Sequence, residues 1–304
     1  MKGAFMVRGS YLKLSAGALA ERAEKAVAML EDCIVCAQVC RVNRLKGELG
    51  RCRGGRLAAV SSHGPHFGEE SALVGTGGSG TIFFAHCNLS CVFCQNYEIS
   101  QQGRGTQVSA KKLAEMMLGL QERGCHNINL VSPSHFVPQI LEALVLAAAK
   151  GLSLPLVYNT GGYDAPATLD LLEGVVDIYM PDIKFAGDEA GRKYSGAAGY
   201  STVAKKAVKK MHGQVGNLTL GGQGLAYRGL LVRHLVLPNN LAHSEKIFAF
   251  LADEVSPDTF INIMDQYYPA FKAFHYPELS RPITRGEYRT AIKAAEQAGL
   301  RRIL

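Results

Sequence analysis

The chain has 304 residues, 47% of them hydrophobic and 19% charged, with a formal charge of +7 and eight cysteines. That length and apolarity suit one large α/β domain or two modest ones and exclude a disordered chain. No apolar run reaches the roughly 18 residues needed to cross a bilayer, and Lys2, Arg8 and Lys13 lead only into "LSAGALA", too short for an export signal, so a cytoplasmic address is expected. Residues 16 to 31 form an amphipathic helix with little core of its own, running into "CIVCAQVCRVNRLKGELGRC". "GTGGSG" at 75–80 lacks the Lys-Ser/Thr of a phosphate loop and precedes a strand, so it reads as a turn.

From Thr81 onward, "TIFFA", "INLVSP", "LPLVYNT", "VDIYMPD", "LLVRHLVLP" and "FINIMDQ" are continuous apolar runs of the kind buried on both faces. Helical patterns separate them. Ser109 caps one that closes near Gly124, and Pro138 opens the next. Strand and helix in alternation imply a parallel sheet with right-handed crossovers, and six units fall short of a full eight-unit barrel. The expected fold is α/β, a partial (β/α)6 TIM-like barrel over 71–275, preceded by a Cys-rich segment over 1–70 and followed by a helical extension over 276–304. That extension opens with the capping box Thr284-x-x-Glu287. "KKAVKK" at 205–210 reads as a solvated helix face with no nucleic-acid motif beside it, and the net charge is only a weak pointer to an anionic partner.

In parallel α/β folds, side chains that do chemistry sit at strand C-termini. There the sequence places Cys87 after the first strand, Ser132 and Ser134 after the second, and Asn159 and Thr160 after the third. Asp182 and Lys184 follow the fourth, Arg233 lies within the fifth, and Asp265, Gln266 and Tyr267 close the sixth.

Eight cysteines in a reducing compartment are better explained by metal than by disulfides. Seven fall into two groups, and Cys125, alone before a strand, reads as a small buried side chain. Cys33, Cys36, Cys40 and Cys52 supply four thiolates, a closed set suited to structural zinc or to a [4Fe–4S] cluster, which the spacing does not separate. Cys87, Cys91 and Cys94 supply three, leaving one iron of a four-iron cluster without a protein ligand. Zinc at that site needs His86 as fourth ligand, and His86 projects the opposite way from Cys87 if the strand continues through it.

The spacing Cys-x3-Cys-x2-Cys, with Phe93 before the last cysteine and at the end of the first strand of a βα series, resembles the radical S-adenosylmethionine enzymes over about residues 75–275. "SGTIFFAHCNLSCVFCQNYEIS", "LVSPSHF", "VYNTGGY", "VDIYMPDIKF" and "QYYPAFKAFHYPELSRPIT" look like pyruvate formate-lyase activating enzymes and the proteins similar to them. The resemblance implies S-adenosylmethionine bound at the open iron, a reductant such as flavodoxin or ferredoxin, and a 5′-deoxyadenosyl radical that takes a hydrogen atom. The substrate it implies is a glycine of a protein partner, with a peptide, small metabolite or RNA as alternatives. By position, Phe93 would lie against the adenine, and Lys184, with Asp182, near the methionine carboxylate. Ser132 and Ser134 stand where the relatives' Gly-Gly-Glu receives the methionine ammonium, with His135 in reach. Asn159, Thr160, Met180 and Asp182 match positions that hold a monovalent cation, where Asn159 replaces the usual Asp. In the first group Ala37 and Gln38 stand where relatives carry Pro-Arg. An iron–sulfur electron carrier without radical chemistry is the competing class, and it needs neither a roomy mouth nor polar groups on every strand end.

Overall fold

The structure is a computed structural model that describes residues 8–304; residues 1–7, Lys2 among them, lie outside it. Ser15 caps α1 (Ala16–Ala28) by accepting from the Ala18 amide at 3.1 Å, and Leu19, Ala23 and Ala26 of that helix are buried against the main core. The cysteine segment follows without long regular elements and leads into β1 (Ala58–His66), a short α2 (Ser71–Val74) and β2 (Ser79–Phe84). After α3 (Tyr97–Ser100) and β3 (Thr106–Val108) the alternation begins: α4 (Ala110–Glu122), β4 (Ile128–Val131), α5 (Val137–Ala149), β5 (Leu156–Thr160), α6 (Pro166–Leu172) and β6 (Ile178–Pro181). It continues through α7 (Asp188–Ser195), α8 (Tyr200–Val215), β7 (Thr219–Leu220), β8 (Ala226–Leu235), α9 (Ser244–Phe250), β9 (Phe260–Met264), α10 (Arg285–Gln297) and β10 (Arg302–Ile303).

Strands run in the order β10-β9-β8-β6-β5-β4-β2-β1-β3. β2, β4, β5, β6, β8 and β9 are mutually parallel, as the six apolar runs predict. β2 and β9 do not pair, so the arc stays open as a partial barrel. One edge is extended by antiparallel β1 and β3 and the other by parallel β10. The sequence reading missed β1 because beyond Val60 its residues are polar and half exposed, without the apolar run of a buried strand. β1 also ties the end of the cysteine segment to the barrel sheet.

The period of two along each strand sorts its residues. Outward-facing Leu130, Leu156, Tyr158 and Tyr179 join the core under the helices with Leu113, Met117, Leu141 and Leu144. Inward-facing Val157, Ile178, Met180 and Leu231 pack instead on Ala72 and Leu73 of α2. The short α2 is thus a plug in the barrel floor. Gly229 on β8 sits at φ 124°, and a Cβ there would collide with the backbone of Leu218, so only glycine lets that chain pass.

The extensions are fastened at specific points. The Ser10 hydroxyl donates to Asp177 Oδ1 at 2.6 Å, and α10 carries the predicted capping box while burying Ala291 and Ala295. Three of the lysines of "KKAVKK" are spent on helix contacts: Lys209 pairs with Glu254 at 3.0 Å, Lys210 with Asp170 at 2.5 Å, and Lys205 lies over Phe250. Among the described residues, no helix is long and apolar enough to cross a membrane.

Candidate active site

β2 stops at Phe84, and His86 adopts the left-handed conformation at φ 66°, so the strand does not continue through it. The turn aims the next eight residues across the open C-terminal mouth. Four contacts pin this loop: Asn88 Nδ2 donates to Tyr163 O, Ser90 N to Ser195 O, Val92 N to Tyr194 O, and Lys272 N to Val92 O, all at 2.8 Å. Within it Cys87, Cys91 and Cys94 are free thiols, and each sulfur has a hydrogen-bonding neighbour. The Leu89 amide donates to Cys87 at 3.3 Å, Ser195 Oγ lies 3.0 Å from Cys91 Sγ, and Ser100 Oγ lies 3.1 Å from Cys94 Sγ. Burial and neighbouring thiols push Cys87 up to about 12, and burial pushes Cys91 up to about 11 against the pull of Lys184. Ionised sulfurs at this spot need a positive centre among them, and a cluster of iron ions supplies one while the surrounding donors stabilise the thiolates. The donor set fits a three-thiolate cluster.

Cys33, Cys36 and Cys52 are buried, and Cys40 is half exposed. Cys36 is close enough to the other three for their charges, added to burial, to raise it well above an ordinary thiol. Val39, Arg41 and Arg53 hold positive φ of 44°, 59° and 55° around these sulfurs, backbone strain that persists only where the surroundings over-determine it. A Cβ on Gly50 would come within 2.8 Å of Cys40 Sγ, so glycine is what lets that thiol approach. The Arg51 and Gly54 amides donate to Cys40 and Cys52 at 3.4 Å. Fully buried Arg44 donates to His135 O and Gly55 O at 2.8 Å, and Gln38 Nε2 donates to Asn88 O at 2.7 Å beside Cys87. This segment is therefore docked on the first loop. Among the described residues, no three His, Cys, Asp or Glu side chains form a set that could hold a single metal ion.

Below the mouth lies a layer of charge. Asp182 Oδ2 accepts from Lys184 Nζ at 2.6 Å and Oδ1 from Arg233 Nε at 2.9 Å. Burial works to raise Asp182, but the two cations hold its carboxyl below the usual range. Lys184 resists the opposite effect of burial and is held above its ordinary value by Asp182 and Cys91. Arg233 continues the chain, reaching Asn159 Oδ1 at 2.7 Å and Glu69 Oε1 at 3.4 Å. Glu69 also accepts from Asn129 at 2.6 Å and Asn159 at 3.2 Å, while Glu70, raised by burial, accepts from Asn262 at 2.9 Å.

Other sequence candidates take different places. Ser134 Oγ lies 2.9 Å from Thr160 Oγ1, which donates to buried Asp164 at 2.7 Å, so both hydroxyls are committed inside the protein. Ser132 sits at φ 56° where β4 ends, half exposed. Phe93 is 5% exposed, and its ring packs edge-on against Phe185 and Tyr267. Tyr267 is a packing residue whose hydroxyl donates to Leu279 O at 2.7 Å, whereas Asp265 and Gln266 are exposed at the mouth. Met180 lies fully buried in the floor cluster. His135 is a packed histidine bonded to Ala85 O at 3.2 Å, and Cys125 is buried in the main core at the opposite end of the barrel from the three-cysteine loop.

Two buried imidazoles give a pH prediction. Burial, with Arg44, lowers His135 to about 3, and burial lowers His234 to about 4. Both stay neutral in the fold but protonate near 6.5 once unfolded, so stability is full above 6.5 and falls as the pH drops toward those values. Each contributes a loss of about 2 kcal/mol at pH 5, from 1.5 units at 1.36 kcal/mol each. Urea unfolding at pH 7 and pH 5 checks this, and an unchanged midpoint contradicts it.

A family model described as the Radical SAM superfamily matches residues 81–226. The chain is 32% identical over 287 residues to the Uncharacterized protein MJ0674 of Methanocaldococcus jannaschii, covering 92% of this chain and 78% of that protein. Among solved structures, Streptococcus suis SuiB bound to S-adenosylmethionine aligns with a TM-score of 0.48 at 11% identity over 72% of this chain and 48% of SuiB, so the chain spans about half of SuiB. The structure of TYW1 with a lysine-pyruvate adduct aligns with a TM-score of 0.43 at 11% identity, over 73% of this chain and 74% of TYW1. The chain carries a radical SAM superfamily domain over residues 81–226. It is therefore an enzyme, and membership implies a [4Fe–4S] cluster and S-adenosylmethionine.

Proposed function

We propose that Cys87, Cys91 and Cys94 hold the [4Fe–4S] cluster and that S-adenosylmethionine binds at the iron they leave without a thiolate. The observation that carries this is the loop itself: three free sulfurs, a hydrogen-bonding partner for each, and the one cysteine outside both groups at the far end of the barrel. When bound, the two cofactors supply one-electron cleavage of a sulfonium and a radical able to take a hydrogen atom. The protein's own part is placement. Lys184, paired with Asp182, would hold the cofactor's carboxylate, Ser132 would receive its ammonium, and Phe93 would lie against the adenine. Gln95 Nε2 donates to Gln266 O at 2.9 Å, closing the mouth on the side of β9.

The finer reading is an activating-enzyme-like oxidoreductase that takes a hydrogen atom from a glycine of a protein partner, with electrons from a flavodoxin or ferredoxin. The sequence motifs support it, above all the loop "CNLSCVFCQNYEIS" and "PDIK". Cys33, Cys36, Cys40 and Cys52 are the candidate second metal site, for a second cluster or for zinc, and their side chains would have to draw together from their present positions to hold a single ion. Gln38 and Asn88 link that site directly to the loop of Cys87, which suits an electron entry route if iron is held there.

The test is to reconstitute the protein anaerobically with iron and sulfide, reduce it, add S-adenosylmethionine and measure 5′-deoxyadenosine. Formation supports the reading. Full iron loading with no product overturns it in favour of an electron carrier. Iron and zinc counts in Cys36→Ala identify the second metal, a loss of about four irons marking a cluster and loss of zinc a structural ion.

A further inference from the structure

We propose that the guanidinium of Arg233 is a built-in cation of the cofactor site, positioned by Glu69 from the barrel plug, and that cofactor binding is therefore independent of added monovalent cations. The inference rests on the radical SAM reading above and concerns how the same site is charged.

Each side-chain oxygen aligned by sequence with a cation site is already engaged. Asn159 Oδ1 accepts from Arg233 at 2.7 Å, and Asp182 gives one oxygen to Arg233 at 2.9 Å and the other to Lys184 at 2.6 Å. Thr160 Oγ1 donates to Asp164 at 2.7 Å, and Met180 is sealed in the barrel floor. Asn159 is central to this arrangement. Its amide oxygen accepts from the guanidinium while its nitrogen donates to Glu69 at 3.2 Å, a pairing that a carboxylate at the same position could not make.

Charge leads to the same assignment. Glu69, Glu70 and Asp182 face Arg233 and Lys184; exposure of the Glu69, Asp182, Lys184 and Arg233 side chains runs from 10% to 18%, and Glu70 accepts from Asn262 at 2.9 Å. A further ion there would have to displace Arg233 or Lys184 from these oxygens, and a cation parted from its partner so far from water is strongly disfavoured. A guanidinium suits the place better than an ion, because its planar fork meets acceptors from different elements and it sheds water readily. Backbone register fixes it further. Arg233 on β8 is bridged to Asp182 beyond β6, and Glu69 is held by Asn129 at 2.6 Å, just ahead of the buried plug residues Ala72 and Leu73. Glu69 and Arg233 are positioning residues that set Asp182, and through it Lys184.

The experiment measures equilibrium binding of S-adenosylmethionine to reconstituted protein, with choline replacing potassium and sodium. The wild type is expected to keep its affinity within about twofold in every buffer. Arg233→Ala is expected to bind about tenfold more weakly in choline and to recover with added potassium or guanidinium, while Arg233→Lys binds without either. A wild type that loses about tenfold when potassium is withdrawn overturns the proposal, as does an Arg233→Ala protein with wild-type affinity in choline. A wild type that binds no S-adenosylmethionine in any buffer overturns the underlying reading instead. Iron content and thermal unfolding confirm that each variant is intact; if Arg233→Ala does not fold, the wild-type comparison and Arg233→Lys decide.

Discussion

Replacing Cys91 by alanine is expected to abolish 5′-deoxyadenosine formation while leaving the fold intact. Cys91 is 7% exposed, its sulfur contacts Ser195 Oγ at 3.0 Å, and the Lys184 charge pulls its thiol down against burial. Alanine removes one of three thiolates, and two are too few to hold a four-iron cluster with an open corner. The substitution takes away a single sulfur in a loop fixed by main-chain bonds from Ser90, Val92 and Lys272, so folding should change little. Product formation and iron content fall together, while far-ultraviolet circular dichroism stays at the wild-type level. Undiminished product from Cys91→Ala would place the cluster elsewhere.

Replacing Asp182 by asparagine is expected to have the second largest effect, on stability as well as on cofactor binding. The carboxylate is 16% exposed and neutralises both Lys184 and Arg233. Asparagine keeps the shape but removes the charge, leaving Lys184 without its carboxylate and Arg233 with only the glutamates Glu69 and Glu70. Breaking one partner out of a buried pair costs about 3–5 kcal/mol, because the survivors stay desolvated and unpaired. Urea unfolding of the metal-free protein at pH 7 reads that loss without interference from the cluster. A change within about 0.5 kcal/mol would mean that the layer is solvated and the pairs count for little.

The barrel was legible because strands such as "INLV" and "IYMP" are buried on both faces and carry no polar interruption long enough to hide them. The exception was instructive. Asn129, Asn159 and Asn262 each sit inside an apolar strand, and an amide buried there must find a partner. Those partners, Glu69 and Glu70, stand in "GEES", which reads in sequence as a solvated turn and folds instead into the barrel floor. Three strands with an inward Asn were the available signal for the plug. The cysteine loop was visible from spacing alone, whereas Ser100 and Ser195, the hydroxyls beside its sulfurs, come from α3 and α7 and had no local mark. Ser134 and Thr160 were correctly placed at strand ends, but their hydroxyls turn to Asp164, a commitment that depends on tertiary packing.

The central claim is an iron–sulfur cluster bound by three cysteines and completed by S-adenosylmethionine. Electron paramagnetic resonance of the reduced protein, recorded with and without S-adenosylmethionine in the Cys36→Ala background, tests it most directly. The account predicts a reduced-cluster spectrum whose shape changes when the nucleotide is added and disappears in the Cys36→Ala, Cys91→Ala double variant. A spectrum indifferent to the nucleotide, or one that survives loss of Cys91, would contradict it.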